Sequence, residues 1–528
     1  MISDVEEIAH ALADSGGWPD GWIGVRETLH WGKSVIPPGI LERLHTLERL
    51  LAPTDLLGEI RSTVLARNAS MLDLLDDDEE ADYSSRHNAV LENAKRLGSL
   101  AANEPLMVSQ LLPELLSDRS NAVRMSFGNG LGNALADPRK LMNEAKAIIA
   151  KMKSSDISLL IIRGVLRGWQ EVDASGLNAF LDDAVLDPVW GAWLPELQCA
   201  TGLKGGGIDR IFKSLHAGIA PHWQYRYLSM GRAPDDLAPD VIEALVNSLS
   251  AIADGGAVAI DLLGMVVHSA KERGENFVRD IAYRIGGFLA RIDLSNCKVD
   301  DTMVDHHLGR LITFALNNTS SQSLDNDMLQ NLLSWERSEQ RKYAYRRGRH
   351  LQPFFKLRPI LALDAIYQPD PDGRYQTAAR LAADHHNERG SRPMEAVSPE
   401  AALEWCSASP TDRFLFIAAT CELYAQKKPD EEQSDRRLSE IAKQTFKAAP
   451  DKREVLKAYI SRLMPMSWSG SRAEKLRQRL GILDDLAALV SGKDAQILDS
   501  ERTRMMKIVS EMKEREDAEE RTKNETFE

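Results

Sequence analysis

Apolar residues recur at spacings of three, four and seven along most of this chain, the pattern of helices with one buried face. It is cleanest between about Val241 and Ile252, where Ile242, Leu245, Val246 and Leu249 share a stripe. It returns between Ala257 and His268, with Val258, Leu262, Leu263 and Val266 on one face. Ala253-Asp254-Gly255-Gly256 separates the two runs, a break suited to turning one helix antiparallel to the next. A lone helix pair buries too little surface to be stable, so it needs neighbours of its own kind. Variants of the unit run from Arg86 to Pro465. Breaks fall about every 15 to 20 residues, giving pairs of roughly 35 to 45 residues, the range of HEAT-type repeats. The predicted class is all-α: an α-solenoid of HEAT-like helical pairs.

Many breaks place Ser or Asp directly before a periodic run, as in Ala136-Asp137-Pro138 and Val172-Asp173-Ala174. Such side chains cap helix N-termini, and proline is tolerated in a first turn. Residues 157–166 (Ile-Ser-Leu-Leu-Ile-Ile-Arg-Gly-Val-Leu) are the best strand candidate, yet the register also fits a buried helix, and the helical surroundings favour the helix. Residues 1–67 predict four short helices forming an N-terminal cap. Residues 68–85 predict an acidic linker, with seven carboxylates between Asp73 and Asp82. Residues 86–465 are the repeat region, and 466–528 a C-terminal helical cap whose charged end, from about Glu511, should fray.

Composition narrows the function. A chain of 528 residues is long for one globular core, but stacked repeats lengthen a core without thickening it. The net charge of −14 argues against a general nucleic-acid binder. Cys199, Cys297, Cys406 and Cys421 are scattered, suggesting reduced buried thiols rather than a zinc ribbon or disulfide framework. The N-terminus has no signal-peptide pattern, and no apolar run reaches membrane-spanning length. The expectation is a cytoplasmic protein without membrane contact.

Motifs that could carry chemistry are weak. Gly32-Lys33-Ser34 resembles the end of a P-loop, but Glu27 stands where the first glycine belongs. Gly128-Asn-Gly-Leu-Gly132 and the glycines from Gly202 to Gly207 follow helices, so turns or close helix contacts are expected there. His306-His307 and His385-His386 each offer one ligand per helix face, too few for a metal centre. No catalytic residue, metal or cofactor is predicted. The strongest departure from the acidic background is the segment 341–358, where seven cations alternate with four aromatics. Arg341, Lys342, Tyr343, Tyr345, Arg346, Arg347, Arg349, Lys356 and Arg358 are its candidate partner-binding residues. The plainest reading makes the aromatics core and the cations an exposed face paired with acids elsewhere; as a binding surface their chemistry suits an acidic protein or, second, phosphates with stacked bases.

Several phrases together resemble the helical-repeat regions of large bacterial STAND-type NTPases and related antiphage defence proteins. They include Trp18-Pro-Asp-Gly-Trp22, Leu44-His-Thr-Leu-Glu-Arg-Leu-Leu51, Glu59-Ile-Arg-Ser-Thr63, Met230-Gly-Arg232 and Met466-Ser-Trp-Ser-Gly470. In proteins of that kind the repeats follow an ATPase module and act as its sensor. The resemblance implies a non-enzymatic scaffold or sensor for a protein partner, either a viral protein or a co-encoded effector or ATPase subunit. This chain has no Walker motifs, and nucleic-acid binding through 341–358 is the alternative.

Overall fold

The structure, a computed structural model, describes residues 2–13, 18–32, 35–65, 83–117, 122–297, 302–338, 349–368, 378, 381, 393–425, 435–464 and 470–526. Helices account for nearly all regular structure. Among the described residues no strand forms, and two isolated bridges join Ser117 to Ile157 and Tyr424 to Leu438. The strand candidate is a helix from Leu160 to Val172. Of the expected acidic linker, residues 68–82 lie outside the described residues, while Tyr83, Ser84 and Ser85 already belong to a helix; the pair His385-His386, Lys33 and Ser34 also lie outside the described residues.

The chain divides into two compact units, Met1–Leu237 and Ala238–Glu528. The first opens with α1 (Ile2–Ala13), α2 (Pro19–Gly32) and α3 (Pro38–Leu51), which share a small core of Val25, Leu29, Leu44, Leu47 and Leu51. A separate, larger core begins at Ile60 in α4 (Leu56–Ile60). It continues through α5 (Tyr83–Ala101), α6 (Pro105–Leu115), α7 (Ala122–Ala134), α8 (Pro138–Ile149), α9 (Leu160–Val172), α10 (Ala174–Ala184) and α11 (Trp190–Thr201). The last helix of this unit is α12 (Gly207–Ala217). The caps fall where the breaks predicted them: Asp137 accepts from the Lys140 amide and Asp173 from the Gly176 amide.

Helices α5, α7 and α9 pack in sequence, and their contact is made by glycine. A Cβ on Gly128 or Gly132 would lie 2.3 Å or 2.1 Å from the carbonyl oxygens of Ile161 and Val165 in α9. One on Gly164 or Gly168 would meet the Met125 and Asn129 carbonyls at 2.1 Å. Gly130, on the opposite side of α7, sits equally close to Lys95 in α5. The run 128–132 is thus a backbone-to-backbone helix contact. The glycines near 205 make a turn, with Gly202, Gly205 and Gly206 at positive φ before α12.

The second unit comprises α13 (Pro239–Ser250), α14 (Gly255–Ser269), α15 (Glu275–Leu289), α16 (Thr302–Asn318), α17 (Gln322–Arg337), α18 (Gln352–Leu357) and α19 (Pro359–Tyr367). After these come α20 (Pro399–Ser407), α21 (Pro410–Thr420), α22 (Glu440–Ala448), α23 (Lys452–Ser461), α24 (Arg472–Arg479), α25 (Ile482–Ala487) and α26 (Lys493–Thr526). Helices here pack on the helix after next: α13 on α15, α15 on α17 and α17 on α19, with α14 on α16 and α16 on α18. The fraying expected from Glu511 is not seen up to Thr526. Within this helix Glu516 is engaged: its carboxylate accepts the Arg472 and Ala473 amides at 2.7 and 3.1 Å and caps α24.

Arginines close several helix C-termini, whose last carbonyls have no partner within the helix. The buried Arg124 donates to Leu115 and Ser117 oxygens at 3.2 and 2.8 Å, finishing α6. Arg413 donates to the Trp405 oxygen of α20 at 3.0 Å, and Arg462 to the Ala418 and Cys421 oxygens at the end of α21.

Candidate functional site

The structure describes only the end of the predicted basic-aromatic segment. Arg341, Lys342, Tyr343, Tyr345, Arg346 and Arg347 lie outside the described residues, and Arg349 opens a short 3-10 turn, Arg349–Leu351. His350 is buried, with Nε2 3.3 Å from Glu336 Oε1 and its ring 5.2 Å from Trp335. Phe354 and Phe355 are fully buried core residues, so neither ring is available for stacking. Arg358 is engaged at every nitrogen: Nε donates to Asp325 at 2.6 Å, Nη1 to the Leu357 oxygen and Nη2 to the Leu316 oxygen. It is another arginine closing a helix, here α16. Of the cations whose side chains are described in this segment, Lys356 alone is exposed.

Beside the segment lies a cavity of about 860 Å³ in the second unit. His350, Gln352 and Pro353 form one wall, and Val267, Lys271 and Val278 contribute from α14, the turn after it and α15. The floor is one face of α16. His306, Arg310, Thr313 and Asn317 recur there at spacings of four, three and four, which places them in line. The opposite face, with Leu308, Leu311, Ile312 and Ala315, is fully buried. From His306 to Asn317 the row is about 16 Å long at 1.5 Å per residue. Lys271, His306 and Asn317 are exposed, so the cavity opens to solvent.

The described walls of the cavity carry positive charge. Among the described residues that line it there is no carboxylate, and neither Lys271 nor Arg310 has a carboxylate partner among the described residues. His307, next to the row, points into the core, where its ring sits against Gly264 of α14: a Cβ there would lie 2.2 Å from Nδ1. Burial first, then the nearby Arg310 and His306, holds His307 below the usual histidine pKa. The arrangement offers fixed positive charge and amide hydrogen bonds along a short trough. Among the described residues no cluster of three or more His, Cys, Asp or Glu is placed to hold a metal. Sequence reading singled out His306 but passed over Lys271, Arg310 and Asn317. The signal was present as a polar 4-3-4 row opposite the apolar face of Leu308, Leu311, Ile312 and Ala315.

A second polar cluster lies in the first unit. Glu196 on α11 is buried, 3.9 Å from Arg163 Nη1 of α9, and hydrogen-bonds Tyr227. Burial raises its pKa above the usual carboxylate range, against the opposing pull of Tyr227 and Arg163. The same burial raises Tyr227, and the Arg163 guanidinium lies 5.5 Å from that ring's centroid. A lone charge within an apolar run marks both Arg163 and Glu196 in the sequence. The cluster ties α9, α11 and the 3-10 turn His222–Ser229 together. Burial also pushes the thiols of Cys199, Cys297 and Cys406 up to about 12, leaving them protonated and unreactive near neutrality.

The helical architecture defines the class as all-α. No protein-family model matches the chain, and no curated protein or solved structure matches it either. Among the described residues no helix is long and apolar enough to cross a membrane.

Proposed function

We propose that this protein is an α-solenoid scaffold that binds a protein partner through its second unit and performs no catalysis of its own. The observation that carries the reading is the polar row on α16, a solvent-open face with no carboxylate among the described residues that line it, opposite a packed apolar face. Helices that pack on the helix after next support the solenoid, because each repeat then rests on its neighbours. Occupancy of one repeat can be passed on as a small shift of the next. The short phrases that resemble sensor regions of defence NTPases direct the choice of partner: a viral protein, or a co-encoded ATPase or effector subunit.

The test is co-expression of the tagged full chain with the reading frames beside its gene, followed by size-exclusion chromatography and cross-linking mass spectrometry. The expected result is a nuclease-resistant complex with one protein, cross-linked at Lys271 and Lys356. Co-eluting nucleic acid that disappears on nuclease treatment would support the alternative instead.

A further inference from the structure

We infer that the trough on α16 takes an extended acidic peptide segment of the partner, with peptide carboxylates at Lys271 and Arg310 and peptide backbone at Asn317. This rests on the scaffold reading and specifies its ligand. Charge complementarity is the main ground. The chain carries a net −14, yet this cavity presents Lys271 and Arg310 without a carboxylate on its described walls. Arginine grips carboxylates with two parallel N–H donors, which fixes orientation as well as sign.

Length agrees. An extended chain advances about 3.3 Å per residue, so the row of about 16 Å matches about five peptide residues. Asn317 is exposed at the end of the row, and its amide both donates and accepts, as the two sides of a peptide group require. Val267, Val278 and Phe314 supply apolar surface for the stems of the bound side chains. A nucleic acid fits less well. Single strands are held by a run of cations and by aromatic faces, and Phe314 is the one aromatic residue other than histidine on the described walls, itself half-buried.

The experiment is fluorescence anisotropy of a fluorescein-labelled hexaglutamate peptide with the full-length protein at low and physiological salt. Binding should weaken with salt, and Arg310→Glu should weaken it about tenfold or more. Asn317→Ala should weaken it several-fold with little change in salt sensitivity, and thermal melting reports folding of each variant. Should Arg310→Glu fail to fold, Arg310→Gln takes its place. Equal binding by wild type and the Arg310 variant overturns the inference, as does no binding at low salt. Tighter binding of a labelled hexathymidine that displaces the peptide overturns it in favour of nucleic acid. If the co-expressed partner still binds Arg310→Glu with wild-type affinity, the peptide site is wrong while the scaffold reading stands. If no partner forms a complex with the wild type, the scaffold reading itself fails.

Discussion

Replacing Gly132 with alanine adds one methyl group to a helix, where alanine is ordinarily preferred by about 1 kcal/mol. At this position the methyl would lie 2.1 Å from the Val165 carbonyl oxygen, whereas ordinary C···O contacts begin near 3.3 Å. The helices would have to part by about 1 Å. The obstacle is backbone, so no side-chain rotation relieves it. Parting α7 from α9 at Gly132 also opens the contacts of Gly128, Gly164 and Gly168, because the four glycines interlock along the same line. Overpacking of this kind costs about 1–3 kcal/mol, and an unyielding backbone neighbour puts it at the upper end. Net of helix propensity, Gly132→Ala should lose about 2 kcal/mol. Gly24 is the internal control: it is exposed in α2 with nothing within 4 Å of its added Cβ, so Gly24→Ala should be neutral or stabilising. Because the chain has two compact units, a single melting curve would blend them. Hydrogen exchange resolved to α7 and α9 is the better assay, with faster exchange expected there in Gly132→Ala alone. Equal protection in both variants would refute the interlocking contact.

Arg358→Ala leaves the carboxylate of Asp325, 2% exposed, without its partner and frees the carbonyls that finish α16, so it should cost about 3 kcal/mol. Lys356→Ala should stay within about 0.5 kcal/mol of wild type by urea unfolding, and a reversed order would sink the assignment of Arg358 to the architecture. Glu196 has a raised pKa, so the folded state holds its proton more tightly than the unfolded state does. Stability should therefore fall as pH rises from the unfolded value of about 4.3 through the higher folded value. Glu196→Gln should lack that part of the slope, and parallel pH profiles for the two proteins would count against a Glu196 pKa raised by burial. At pH 8 the thiols raised to about 12 carry roughly one part in ten thousand thiolate. Ellman's reagent should find almost none of the buried Cys297, Cys406 and Cys421 before unfolding and all four cysteines after it, and stoichiometric native labelling of those three would contradict their burial.

The helices were legible because their signals are local. Periodicity in Val241–Ile252 anticipated α13, and Asp137 and Asp173 cap where a short polar side chain meets an apolar run. The glycine contact was half legible. Gly128, Gly130 and Gly132 announced a close approach, but Gly164 and Gly168, which complete it, stand 36 residues further on and were not paired with them. The end of the chain misled for the same reason: Glu516 looks like one more charge in a solvated tail until the Arg472 amide is found beside it. The trough was hidden most deeply. His306 and His350 are 44 residues apart, and that they face one cavity follows from how the chain turns back across α16 and α17, which no short window contains.

Arg358 shows why a cation in a charged stretch of sequence is not by itself a binding group. Arginine has two kinds of work in this protein. Helix after helix ends on bare carbonyls, and Arg124, Arg358, Arg413 and Arg462 are drawn inward to meet them. In a sequence these four look the same as a cation waiting for a ligand. What separates them is what each guanidinium already holds. Arg358 has all three nitrogens occupied, so offering it to a partner would first unpair Asp325 and the end of α16. Arg310 sits on that same helix, turned to the solvent-open face, with no carboxylate partner among the described residues. A ligand there gains a charge contact without breaking one. Of the two arginines at α16, the one that draws attention in the sequence closes the end of the helix, and the inconspicuous one keeps its guanidinium without a carboxylate partner among the described residues.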